Sequence, residues 1–223
     1  MRSSVADTQP FSQSWHPQGA PRALVVISHG LAEHSGRYGE LAAGLTARGY
    51  AVHALDHRGH GRSEGRRSNI GRFAGVVSDL GELIVRARRD HPGVPTFLLG
   101  HSMGGAIALA CALEHQAELR GLVLSAPALA SNERVPPLRH LLLRLLSRIA
   151  PDMGVLNLPA EAVSREPAVV AAYAQDPLVY RGAIPVRTMA ELVAAMARFP
   201  ARASELHLPV LVQHGTGDLL VPL

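Results

Sequence analysis

A chain of 223 residues with 47% hydrophobic and 18% charged residues has the size and balance of one well-buried domain. All 22 basic residues are arginine, and a net charge of +4 with a pI near 10.0 admits an anionic partner. The arginines are scattered, in clusters no longer than Arg66-Arg67 and Arg86-Ala87-Arg88-Arg89, which fits solvated faces and argues against a nucleic-acid partner. The single cysteine, Cys111, rules out an internal disulfide framework and sits in the apolar run A-I-A-L-A-C-A-L, where a buried structural residue belongs. The opening M-R-S-S-V-A-D-T-Q-P lacks the apolar core of a signal peptide, and no apolar run is long enough to span a bilayer. A soluble, cytoplasmic protein is expected.

Strand and helix patterns alternate. A-L-V-V-I-S-H-G (23–30) is an apolar, β-branched run closed by glycine, the pattern of a strand buried on both faces. A helical pattern at about 38–48 leads to a second strand, Y-A-V-H-A-L-D (50–56). Residues 57–72, rich in Gly, Arg and Ser, read as an exposed loop. A helix at about 75–91, the strand P-T-F-L-L-G-H-S (95–102) and a helix at about 103–116 follow. G-L-V-L-S-A-P (121–127) and, much later, P-V-L-V-Q-H-G (209–215) complete the strands. This rhythm predicts an α/β fold with a mostly parallel sheet covered by helices on both faces.

Residues 130–205 interrupt the rhythm as a helical insertion with no convincing strand, which divides the chain into a core of 1–129 and 206–223 and an inserted cap. Within it, P-L-R-H-L-L-L-R-L-L-S-R-I (137–149) is amphipathic. Leu138, Leu141, Leu142, Leu145, Leu146 and Ile149 share one face, opposite His140, Arg144, Ser147 and Arg148. Two readings of that face stand: it packs on the body of the protein, or it is a lid surface that meets lipid or an acyl chain.

The chemistry centres on G-H-S-M-G-G (100–105), a G-x-S-x-G between a strand and a helix. A sharp turn there exposes the Ser102 hydroxyl as a nucleophile, and Gly100 and Gly104 remove side chains that would collide across it. The helix N-terminus brings the backbone N–H of Met103 to the reacting oxygen. S-H-G-L-A-E-H-S-G-R-Y (28–38) begins at the end of the first buried strand and offers the N–H of Leu31 as a second oxyanion donor.

H-G-L-A-E-H-S-G-R-Y, L-D-H-R-G-H-G-R-S-E-G, G-H-S-M-G-G, L-S-A-P-A and, within the insertion, S-R-E-P-A-V-V-A-A-Y-A-Q-D-P-L-V (164–179) together resemble the monoacylglycerol lipase family of α/β-hydrolases, its bacterial members above all. The resemblance runs from about residue 21 to the final residue. It implies the α/β-hydrolase fold, a nucleophile at Ser102 and an oxyanion hole at Leu31 and Met103. It also implies a polar head-group pocket shaped by Glu33, Arg37 and His101, although Glu33 and Arg37 could equally tie down a loop. The cap would form an apolar channel for the acyl chain of a small lipid ester, with transient membrane contact. Neither cofactor nor metal is implied, and no oligomeric state is legible.

A serine nucleophile needs a histidine base oriented by a carboxylate, and in this fold the acid precedes the base. Asp218, in the loop after the last strand, matches the acid, but all 12 histidines precede it. His214 belongs to the strand leading into that loop, His101 points away from Ser102 along its strand, and His29, His34, His57 and His60 match positions with other duties. The resemblance therefore implies a base, a further strand and a closing helix beyond Leu223. The chain as it stands is expected to be slow or inactive, less stable than a full-length relative, and prone to associate through the uncovered 209–215 edge. A lysophospholipase, a general carboxylesterase and a non-catalytic acyl-lipid binder remain as alternatives.

Overall fold

The computed structural model describes residues 9–130, 137–218, 220 and 221. The opening residues 1–8, residues 131–136 of the insertion and the side chain of His140 lie outside the described residues.

The first element, β1 (Ser12–Trp15), is one the sequence did not announce; β2 (Ala23–Ser28), α1 (Gly39–Thr46) and β3 (Tyr50–Leu55) follow. Then come α2 (Phe73–Asp90), β4 (Thr96–His101), α3 (Met103–His115) and β5 (Gly121–Ser125). The insertion holds α4 (Pro137–Ile149), β6 (Gly154–Leu156), α5 (Pro167–Gln175), β7 (Ile184–Pro185), α6 (Val186–Met196) and α7 (Phe199–Arg202). The chain then returns to the sheet as β8 (Val210–Gln213).

The main sheet runs β1-β3-β2-β4-β5-β8, parallel throughout except for β1, which pairs antiparallel with β3 through Ser12↔Leu55 and Trp15↔Val52. β1 carries polar residues on an edge, so neither hydrophobic run nor alternation marks it. Helices cover both faces. On one, Val26, Leu98, Leu122 and Leu124 pack with Leu80, Ile84, Met103, Ile107 and Cys111 of α2 and α3. On the other, Val25, Ile27, Val52 and Ala54 pack with Ala42 of α1 and with Trp15. β8 is the far edge, and Leu211 and Val212 are half exposed there, 52% and 56%.

Two expectations are corrected. The segment after β3 is not simply an exposed loop, because His57, His60, Ser68 and Ile70 are fully buried while the charged residues between them stay outside. Composition concealed this: Gly59 and Gly61 turn with positive φ and let His57 and His60 fold back onto His29, with ring centroids 4.5 and 5.4 Å from it. The insertion also contains a small sheet, β6 antiparallel to β7, whose strands of three and two residues are too short for any periodic signal. As for α4, its apolar face does not pack on the body. Leu138, Leu141, Leu142, Leu145 and Ile149 are 50–72% exposed, while Ser147 faces inward.

Candidate active site

In the main sheet β2 lies between β3 and β4, so the loops leaving β2 and β4 depart from its carboxyl edge on opposite sides of a switch in strand order, where such sheets build their sites. Register brings the two loops together, since Ser28 pairs with Gly100 and His101 with Ser125.

Ser102 caps α3 with φ 52° and ψ −120°, a strained conformation for a residue with a Cβ. The surroundings hold it there. Its N–H donates to Ser125 O at 3.0 Å, and its carbonyl accepts from Gly105 and Ala128 N–H at 2.9 and 3.0 Å. The turn closes only over glycines: a Cβ on Gly100 would meet Gly104 O at 2.4 Å, and one on Gly105 would meet Pro127 Cβ at 2.7 Å. Met103 is buried at the start of α3, and its N–H, like that of Leu31, donates to no protein acceptor among the described residues. Leu31, Ser102 and Met103, two of them with unclaimed amides, line one cavity of about 720 Å³.

Glu33 builds the Leu31 side of that wall. Its Oε1 accepts the Gly30 N–H at 2.6 Å and the Tyr38 hydroxyl at 2.8 Å, and its Oε2 accepts Arg37 Nε at 3.1 Å. Burial opposes ionisation of Glu33, but the nearby His101 and the hydrogen bonds from Gly30 and Tyr38 outweigh it, so the carboxyl titrates below its ordinary value. The Arg37 guanidinium also lies 4.8 Å over the Tyr173 ring of α5. Glu33 and Arg37 tie the loop, and with His101 they line the cavity beside Ser102. The His101 ring is held by its Nδ1 donating to Ser125 O at 3.0 Å.

Asp218 lines the same cavity. Its Oδ1 accepts the N–H groups of Leu220 and Val221 at 2.8 and 2.9 Å, so the loop closes around its own carboxylate. The other oxygen lies 3.4 Å from His214 Nε2, which donates to Val221 O at 3.1 Å. His214 thus belongs to the acid loop.

Among the described residues, no side chain hydrogen-bonds the Ser102 hydroxyl. His29 illustrates how firmly the neighbouring imidazoles are engaged: Nδ1 donates to Gly30 O at 2.7 Å and Nε2 accepts His57 N–H at 2.9 Å, which fixes both tautomer and neutral charge. No group of three or more metal-ligating side chains converges among the described residues.

Residues 19–223 match the family model described as "Serine aminopeptidase, S33". Over 209 residues the chain is 43% identical to a monoacylglycerol lipase from Mycolicibacterium smegmatis, covering 94% of this chain and 75% of that protein. The chain belongs to the monoacylglycerol lipase family of serine ester hydrolases. A monoglyceride lipase from Mus musculus is 40% identical, with 94% and 70% of the two chains covered. The crystal structure of Paleococcus ferrophilus monoacylglycerol lipase superposes with a TM-score of 0.82 at 33% identity, covering 96% of this chain and 80% of that one.

Sequence reasoning named individual residues for the polar side of this cavity but gave its apolar side only to the cap as a whole. Met189, Leu192, Val193 and Met196 of α6 line the cavity, and Leu156 and Leu158 face them from the segment around β6. Their signal was present, since 189, 192, 193 and 196 follow the i, i+3, i+4, i+7 spacing of a helix face. The contacts between the insertion and the β2 loop were also missed. They join residues more than a hundred apart, and no local pattern encodes them.

Proposed function

We propose that this protein hydrolyses monoacylglycerols and similar single-chain esters through an acyl-enzyme on Ser102. The observation that carries the reading is the strained Ser102 with two unclaimed amides on a cavity whose remaining wall is largely aliphatic. The cavity suits one acyl chain, and the names of the similar lipases point to the same class of substrate. In the first step Ser102 Oγ bonds to the ester carbonyl carbon, and the displaced electron pair moves onto the carbonyl oxygen, which the Leu31 and Met103 N–H groups stabilise. Collapse breaks the bond to the alcohol, which leaves as glycerol once protonated; water then releases the fatty acid by the same route. Asp218 is the triad acid in this reading, and among the described residues no side chain hydrogen-bonds the Ser102 hydroxyl as its proton acceptor. Glu33, Arg37 and His101 form the polar end that receives the glycerol. Residues 130–205 act as a cap, and the outward leucines of α4, flanked by Arg144 and Arg148, meet the lipid surface from which substrate is drawn.

The test is hydrolysis of a short soluble ester and of a monoacylglycerol by the purified chain and by Ser102→Ala. Turnover that vanishes in Ser102→Ala, with the monoacylglycerol preferred over a lysophosphatidylcholine of equal chain length, is the expected result. Turnover that survives Ser102→Ala sinks the assignment of the nucleophile. Acyl binding with no turnover under any condition would leave a lipid-binding protein instead.

A further inference from the structure

The loop that carries Leu31 is gripped by the insertion at three points. Asp176, which caps the C-terminus of α5, accepts a hydrogen bond from His34 Nε2 at 2.8 Å; both side chains are largely buried, at 23% and 8% exposed. Tyr180 N–H donates to Ala32 O at 2.8 Å. The Tyr173 ring lies under Arg37, which is itself bound to Glu33. Each contact falls within four residues of an end of the Glu33–Gly30 tie that turns the loop.

Two details show that the grip is built. His34 Nδ1 accepts Gly36 N–H at 3.2 Å, which leaves Nε2–H to make the bond to Asp176. Asp176 is fixed in turn, its Oδ1 accepting Leu178 N–H at 2.9 Å. The gripped segment is also strained: Ala32 has φ 65°, a conformation that a residue with a Cβ holds only when its surroundings impose it. Ala32 directly follows Leu31, so relaxing it would shift the backbone that holds the Leu31 amide in place.

We propose that Asp176, acting through His34, is a positioning residue for the oxyanion loop, so that the insertion completes the hole as well as covering the acyl chain. The inference rests on the reading of Leu31 as an oxyanion donor. Docking of the 173–180 segment sets the direction of the Leu31 N–H, and loss of the latch lets Ala32 leave its left-handed conformation. Asp176 touches no substrate atom; its effect is carried by backbone geometry.

Hydrogen exchange and short-ester kinetics together test this on the whole chain with Asp176→Ala, Asp176→Asn and His34→Gln. Exchange in residues 29–38 should rise roughly tenfold in Asp176→Ala, about the weight of one charge-assisted hydrogen bond, with α3 unchanged. Asp176→Asn, which keeps an acceptor for His34 Nε2–H, should fall between it and the parent. For a short soluble ester kcat should fall with KM unchanged, because the donor acts on the transition state. Exchange in 29–38 equal to the parent's in a folded Asp176→Ala or Asp176→Asn overturns the latch, as does a change in KM alone. If the parent turns over no ester even with imidazole added, the reading of Ser102 fails instead, and exchange still decides the latch.

Discussion

Gly104 lies so close beneath β2 that a Cβ on it would stand 2.1 Å from the Ser28 carbonyl oxygen and 2.3 Å from that of His29. The helix behind Ser102 therefore sits directly against the strand that launches the oxyanion loop, and the two candidate donors keep their spacing by backbone contact. Gly104→Ala should push α3 away from β2, destabilising the protein by about 1–3 kcal/mol or more. Thermal or urea unfolding measures the loss. Short-ester activity should fall further than the folded fraction explains, because the Met103 amide moves with the helix.

The same contact shows why this part of the fold was legible from sequence. Gly100, Ser102 and Gly104 sit within five residues, and the strand and helix flanking them have strong local patterns, so the turn and its chemistry can be read together. The β2 loop was legible for the same reason. What escaped was non-local. One end of the 57–72 loop is buried because His57 and His60 gather around His29, the other because Ser68 and Ile70 bond Thr188, and Asp176 meets His34 across 142 positions. β1 is set by its pairing with β3, and four polar and aromatic residues on an edge give no period to find.

The clustered histidines make acid stability measurable. Burial pushes His60 down to about 3 and holds His29 and His57 below their ordinary value of 6.5. In the unfolded chain these groups take up protons as pH falls below about 6.5, while the folded protein does not, so stability is full above that pH and declines below it. His60 alone contributes a slope of about 1.4 kcal/mol per pH unit between roughly 6 and 4. Urea midpoints from pH 7.5 to 5, where the carboxylates stay ionised, should fall steadily. His60→Asn should flatten the slope even if it lowers the whole curve. A parent curve that is flat over that range would mean the cluster takes up protons while folded.

The Ser102 hydroxyl has no imidazole partner among the described residues, which predicts slow acylation by this 223-residue polypeptide. Loss of a triad base lowers kcat by about 10⁴–10⁶. The cavity at Ser102 is roomy, so free imidazole in the buffer should enter and accept the serine proton. Short-ester hydrolysis should then rise with imidazole concentration in proportion to its neutral fraction, and the rise should be absent in Ser102→Ala. Rates indifferent to imidazole would indicate that another group already serves as base.

The outward face of α4 predicts the last behaviour. Leu141 and Leu145 are 62% and 50% exposed, one turn apart, on a helix whose opposite side turns Ser147 inward. Burying an exposed leucine in a lipid interface is worth about 1.5–3 kcal/mol when complete, and about half that for side chains already partly covered. Leu141→Ser with Leu145→Ser should therefore weaken partitioning onto lipid vesicles by about 10–100-fold, read by co-sedimentation. Hydrolysis of a short soluble ester, which needs no interface, should be unchanged, while hydrolysis of a vesicle-borne monoacylglycerol should fall in proportion to binding. If the paired substitution leaves vesicle binding intact, α4 does not face the lipid, and its leucines must be covered by protein instead.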